Sequence, residues 1–125
     1  MSLEEAEVIK ERAEAFLSNA EELFEKGVYD LAAFNIEQYC QLMLKYKLLV
    51  KTGTYPRTHS IVKLIRELAK LSKGVEKLLD DIVMVTKIED AYIGSRYLPR
   101  RYEREEVREM LKFVKEKFRV VVENA

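Results

Sequence analysis

An all-α antiparallel bundle of four to five helices is what the sequence predicts, and three observations predict it. Apolar residues recur at alternating spacings of three and four along most of the chain, no stretch alternates apolar and polar residues as a half-buried strand does, and the breaks between periodic runs are short. At 125 residues the chain is expected to form a single domain over 1–125 with one modest hydrophobic core. No internal repeat, low-complexity tract or flexible linker interrupts it.

The first helix is marked by Ala6, Ile9, Ala13, Phe16, Ala20 and Leu23 on one face, with glutamates opposite. Gly27 reads as a left-handed C-terminal cap, and Asp30 as the N-cap of the next helix, so the two should form an antiparallel hairpin. The second helix is predicted over about 30–50, with Leu31, Phe34, Leu42, Leu48 and Leu49 as its apolar contacts. Thr52 to Pro56 break it. Thr58 is placed to cap a third helix carrying Ile61, Leu64, Ile65, Leu68 and Leu71, with His59 in its first turn. After Ser72-Lys73-Gly74, the residues Val75, Leu78, Leu79, Ile82 and Val85 give either a fourth helix or a kinked continuation of the third. The final helix runs from Glu103 to Val122, with Val107, Met110, Leu111, Val114 and Phe118 inward.

Charge and cysteine usage narrow the function classes. With 22 basic and 22 acidic side chains the formal charge is zero, so net charge alone would not draw the molecule to nucleic acid. The distribution is uneven: residues 1–30 carry nine acidic and three basic residues (−6), whereas Arg96 to Arg119 carry nine basic and five acidic ones (+4). A local basic surface is therefore open to this chain. The lone cysteine, Cys40, sits in a helical run and reads as a buried structural thiol. With no signal-like or membrane-length apolar run, a cytoplasmic setting without membrane contact is expected. Charged residues at 35%, against two glutamines and three asparagines, are a bias seen in proteins from hot environments.

Two groups of residues stand out as candidate sites. Gln38, Gln41 and Lys45 share one stripe of the second helix with Phe34 and Leu48. The plain reading is a boundary stripe whose amides bond to a neighbouring helix while the lysine stem reaches outward; the functional reading is a ligand site using Gln41 and Lys45. The stretch Asp90 to Tyr102 places three arginines and three tyrosines where the helical pattern breaks, on a loop held by helices at both ends. Arg96, Arg100 and Arg101 have the forked geometry that suits phosphate oxygens, and Tyr92, Tyr97 and Tyr102 offer faces for a nucleobase. The opposing structural reading pairs the arginines with nearby glutamates and uses the tyrosines to pin the loop. His59, the only histidine, is a weak candidate for proton transfer or phosphate contact, a capping or packing role being the plainer one. No metal site is expected, because no second histidine exists and the acids lack ligand spacing, and no cofactor is expected either.

Ala15-Phe16-Leu17-Ser18-Asn19-Ala20, then Gly27-Val28-Tyr29-Asp30-Leu31-Ala32-Ala33-Phe34, Gln38 to Leu48, and Thr58-His59-Ser60 together resemble the HEPN family, named for higher eukaryotes and prokaryotes and for nucleotide binding. Asp90-Ala91-Tyr92-Ile93-Gly94-Ser95-Arg96-Tyr97 resembles that family's segment before the last helix. The resemblance covers nearly the whole chain and rests on order and spacing, no single motif being diagnostic. It implies an all-helical homodimer, often encoded beside a minimal nucleotidyltransferase that completes a toxin–antitoxin-like pair and supplies metal-binding carboxylates. It also implies nucleotide or single-stranded RNA as ligand. Ribonuclease members carry an arginine followed a few residues later by a histidine, and here the chain departs: after Arg96 the matching positions hold Arg101, Tyr102 and Glu103. Without that imidazole a proton carrier is missing, since neither arginine nor an unperturbed tyrosine shuttles protons near neutral pH.

Three functions are thus in play. The first is a nucleotide- or RNA-phosphate-binding, non-catalytic subunit; the second a metal-independent endoribonuclease toxin using Arg96 with Tyr102 or His59; the third a purely structural dimerisation subunit.

Overall fold

In the computed structural model, which describes residues 3–125, the helical prediction holds. α1 (Leu3–Glu25) and α2 (Tyr29–Thr52) form a long hairpin, followed by α3 (Ile61–Ala69), a tight 3-10 segment over Val75–Asp81, and α4 (Ile82–Gly94). The last rod begins as α5 (Arg104–Phe113), passes through a π turn over Val114–Phe118, and ends as α6 (Arg119–Glu123). No strand occurs among the described residues.

The central element is α2, which packs against α1, α3, α4 and α5. Its near-complete burial explains its weak amphipathic signal: Ala32, Ala33, Ile36, Tyr39, Cys40, Met43 and Leu44 face inward around most of its circumference. Ala13 and Ala20 of α1, like Ala32 and Ala33 of α2, have no accessible surface, and such small side chains let two helix backbones approach closely. Phe118 meets Tyr39 edge to face with ring centroids 6.0 Å apart, anchoring the π turn in the core.

Several boundaries differ from expectation, each for a physical reason. Gly27 adopts the predicted left-handed conformation (φ 77°). Asp30, however, lies in the first turn of α2, behind Val28 at the cap position. Its carboxylate accepts instead from the backbone N–H of Tyr102 at 2.7 Å, so a tertiary bond has taken the group a cap would use. The cap of α3 is Ser60, whose hydroxyl accepts from the Lys63 N–H at 3.1 Å. Thr58 holds the preceding turn by accepting from the Ser60 N–H, and His59 stands before the helix, outside its first turn. Leu31 and Leu71 are exposed and leave the core to their neighbours. The choice after Gly74 resolves as a 3-10 turn feeding a separate α4, with Val75, Leu78 and Val85 buried and Ile82 exposed.

Candidate functional site

The stretch read as a loop from Asp90 is helical as far as Gly94, so Tyr92 sits on α4 and only 95–103 form the connection. Ser95 closes α4 by donating from its hydroxyl to the Ala91 carbonyl at 2.5 Å. The far end of the connection is pinned by Tyr102, which is buried and whose N–H is held by Asp30. Gly94 makes room for it, since a Cβ added there would stand 3.2 Å from the Tyr102 hydroxyl. Arg100 lies over the Tyr102 ring, 3.8 Å from its centroid, and pairs with Glu106 at 2.6 Å. Glu106 also receives Lys87 at 3.4 Å and the Glu103 N–H at 3.0 Å. Partial burial works against its carboxylate, but the Glu103 N–H and Arg100 outweigh that and hold its pKa below the ordinary value. Arg100 and Tyr102 therefore answer to the structural reading of this loop.

Arg96 does not. Its Nε and one terminal nitrogen donate to the Tyr92 carbonyl at 3.0 and 2.5 Å, which fixes the guanidinium plane. That plane lies 4.4 Å from the Phe34 ring centroid, 4.7 Å from Tyr92 and 4.8 Å from Tyr97. Arg96 and Tyr97 are exposed, and no acid pairs with Arg96 among the described residues. On the same Tyr92 ring stacks His59, with centroids 4.1 Å apart, an interplanar angle of 21°, and Nε2 3.3 Å from the phenol oxygen. Glu89 of α4 fastens the turn carrying His59, because one of its oxygens accepts from the Ser60 hydroxyl at 2.8 Å and the Val62 N–H at 3.1 Å. Three chain segments thus converge on a cation laid over rings: α2 through Phe34, the turn before α3 through His59, and the end of α4 through Tyr92, Arg96 and Tyr97. Arg101 takes no part in this cluster's bonds; it is exposed and makes no ion pair or hydrogen bond from its side chain among the described residues.

The polar stripe of α2 has an organiser that sequence reasoning missed. Glu37 has no accessible surface, and its two oxygens accept from Gln38 Nε2 at 2.7 Å and Gln41 Nε2 at 2.8 Å. Gln41 passes the chain on by accepting from Lys45 Nζ at 2.9 Å, and that ammonium also lies 5.4 Å from the Tyr55 ring centroid. The amides bond within α2, contrary to the expected bridge to another helix. Burial raises the Glu37 pKa to about 7, against the pull of Gln38, Gln41, Arg96 and Lys45. Burial likewise lowers that of Lys45. The signal available in the sequence was an acid one helical turn before Gln41 and next to Gln38, the only two glutamines.

Beside the ring cluster runs an open cleft of about 740 Å³, lined by His59, Asp90, Tyr92, Arg100 and Tyr102 among others. Burial raises the Tyr102 pKa, which suits an anchor and makes it a poor proton carrier. Cys40 is fully buried, and burial holds its thiol well above the ordinary value, as a structural cysteine requires. Among the described residues no group of three or more His, Cys, Asp or Glu side chains has the geometry to hold a metal ion. No described helix is long and apolar enough to cross a membrane.

A family model described as HEPN domain matches residues 6–125. No curated protein and no solved structure matches the chain. The match takes in α1 from Ala6 onward and every later helix, the three segments that build the Arg96 cluster and the buried Glu37 network. This chain belongs to the HEPN family, a nucleotide- and RNA-binding family of all-helical domains.

Proposed function

We propose that this HEPN domain binds a nucleotide or the phosphates of single-stranded RNA at the Arg96 cluster, and acts as the non-catalytic subunit of a minimal nucleotidyltransferase pair of the toxin–antitoxin kind. The observation that carries this reading is a guanidinium immobilised over three rings yet exposed and in no ion pair with an acid among the described residues. Such a group costs little entropy to use and offers its outer edge to phosphate oxygens, while Tyr97 and the His59–Tyr92 stack offer ring faces to a base. Arg101 supplies a second cation nearby in the chain. Gln41 and Lys45, spent on the Glu37 network, take no direct part, and Arg100 and Tyr102 hold the connection in shape. A homodimer and a cytoplasmic setting belong to the same reading, the latter supported by the lone buried thiol. The nucleotidyltransferase partner is drawn from family membership; finding a small nucleotidyltransferase reading frame beside this gene is the check on it, and a gene standing alone counts against it.

The test is calorimetric titration of ATP, GTP and a short single-stranded RNA at low and moderate salt. Binding that weakens with salt and is lost in Arg96→Ala/Arg101→Ala is the expected result. Absence of binding to all three in a folded protein overturns it in favour of a structural dimerisation subunit.

One observation favours a second reading, a metal-independent endoribonuclease. His59 and Arg96 each lie against the Tyr92 ring, so an imidazole and a cation are gathered on one side chain despite the missing motif histidine. Cleavage of single-stranded RNA without added metal, abolished by His59→Ala, is its signature; intact RNA after incubation with clean protein removes it.

A further inference from the structure

We propose that the cavity between α1 and α6 binds a linear aliphatic polyamine, a ligand with ammonium groups spaced along a methylene chain. The cavity has a volume of about 490 Å³ and is lined by Glu14, Glu21 and Glu22 of α1, Tyr39 of α2, and Arg119 and Glu123 of α6. Tyr39 is the group that points to a ligand. Its side chain is 1% exposed, yet its hydroxyl makes no hydrogen bond among the described residues, where a buried phenol ordinarily finds a partner. No sealed side-chain nitrogen or oxygen lacks a partner there, so this hydroxyl is open to the cavity that Tyr39 lines. Burial above all, with Cys40, Glu123 and Glu14 acting the same way and Arg119 opposing, raises the phenol's pKa and keeps it neutral. A neutral phenol oxygen among carboxylates accepts from an ammonium group.

Charge and spacing select the class of ligand. Four carboxylates face one guanidinium. Lys115 answers Glu21 at 3.4 Å, and Lys47 is committed to the backbone carbonyls of Glu123 and Ala125 at 2.9 and 3.4 Å. Counting both lysines still leaves a negative excess, so an anion is repelled and a cation attracted. The side chains of Glu14, Glu22 and Glu123 make no ion pair or hydrogen bond among the described residues. From Glu14 to Glu21 the acids extend over two turns of α1, about 10 Å at the helical rise. No three of them have the geometry to hold a metal ion. Carboxylates spread in this way suit a cation whose charge is itself spread, and Leu17, also on the lining, offers apolar surface to the methylenes between its ammonium groups. Tyr39 follows Phe34 by five residues, about 140° round α2, so the cavity and the Arg96 cluster use different faces of that helix. The inference therefore goes beyond the function proposed above and stands without it.

Calorimetric titration of spermidine into the full chain should show one saturable site whose affinity falls as salt rises. Glu14→Gln/Glu123→Gln, on two exposed positions, should weaken binding at least about tenfold. Glu4→Gln/Glu11→Gln removes as much charge outside the cavity and should leave the affinity within about twofold. Tyr39→Phe keeps the ring, removes only the hydroxyl and should weaken binding about fivefold, the scale of one hydrogen bond. Magnesium at matched ionic strength should not displace spermidine. Circular dichroism establishes that each variant is folded, and if Tyr39→Phe is not, the two exposed double variants decide the matter. Absence of spermidine binding at low salt overturns the proposal, as do equal losses in the two double variants, displacement by magnesium, or unchanged affinity in folded Tyr39→Phe.

Discussion

The polar stripe of α2 and the arginine-bearing turn after α4 look alike in the sequence, yet the fold treats them in opposite ways. On α2 every polar group is closed off: Glu37 takes two amides, Gln41 takes Lys45, and no buried side-chain nitrogen or oxygen is left without a partner among the described residues. After α4 the polarity stays open, with Arg96 braced by a carbonyl and by rings and in no ion pair among the described residues. A buried network must satisfy itself, because an unpaired polar group in the interior costs about 1–3 kcal/mol. An exposed cation carries no such obligation and keeps its bonding capacity for a ligand. Burial, more than residue type, sorts structural polarity from functional polarity here.

The contrast can be broken at its largest point with Tyr102, the one aromatic of the open region that behaves as interior. Tyr102→Ala removes a buried ring and frees the connection, and a loss of about 3–5 kcal/mol in chemical denaturation is expected. A loss below about 1 kcal/mol would place Tyr102 with the surface tyrosines.

Next in size is the pH response of the closed region. The folded pKa of Glu37, about 7, lies above the ordinary carboxyl value of 4.5, so between those limits the folded chain holds a proton that the unfolded chain has released. Below the lower limit both states are protonated; above the upper one both are ionised and the fold bears the full cost of a buried charge. Stability from this group therefore falls as pH rises from 4.5 through 7, by on the order of 2–3 kcal/mol. Glu37→Gln should flatten that slope in denaturant melts taken across this range, and an unchanged slope would contradict the assignment.

A smaller effect lies at the joint between the regions. Asp30→Asn keeps an acceptor for the Tyr102 N–H but removes its charge, and a loss of about 1 kcal/mol is expected; Asp30→Ala leaves that donor unpaired and should cost about 2 kcal/mol. Equal melting temperatures for both variants and the native chain would show that the bond contributes nothing. The smallest stability change belongs to the open cation itself. Arg96→Ala should alter stability by no more than about 1 kcal/mol, the scale of exposed cation–ring contacts, while lowering affinity for nucleotide or RNA at least about tenfold. The reverse pattern, unfolding with affinity intact in the residual fold, would make Arg96 part of the scaffold.

Reading these regions from sequence succeeded where the signal was local. Gly27 announced its turn because only glycine enters the left-handed region without strain, and the stripe from Val107 to Phe118 announced its helix by period. Arg96, Tyr92 and Tyr97 were visible as a cluster because they lie within six residues. Phe34 joining them was not visible, nor was His59 arriving on Tyr92 from 33 positions away. Glu37 escaped because α2 is buried almost all round, so an acid there does not stand out against a polar face. Asp30 was misread as a cap because the competing donor, Tyr102 N–H, is 72 residues distant.

The sequence by itself determined the all-α bundle, the HEPN resemblance and the short list of cations and rings, since periodicity, turn residues and side-chain chemistry are local properties. Only the tertiary structure decided which of them act together. Pairing, burial and desolvation depend on contacts between residues far apart in the chain, and those contacts bound Arg100 to Glu106, enclosed Glu37 and left Arg96 open.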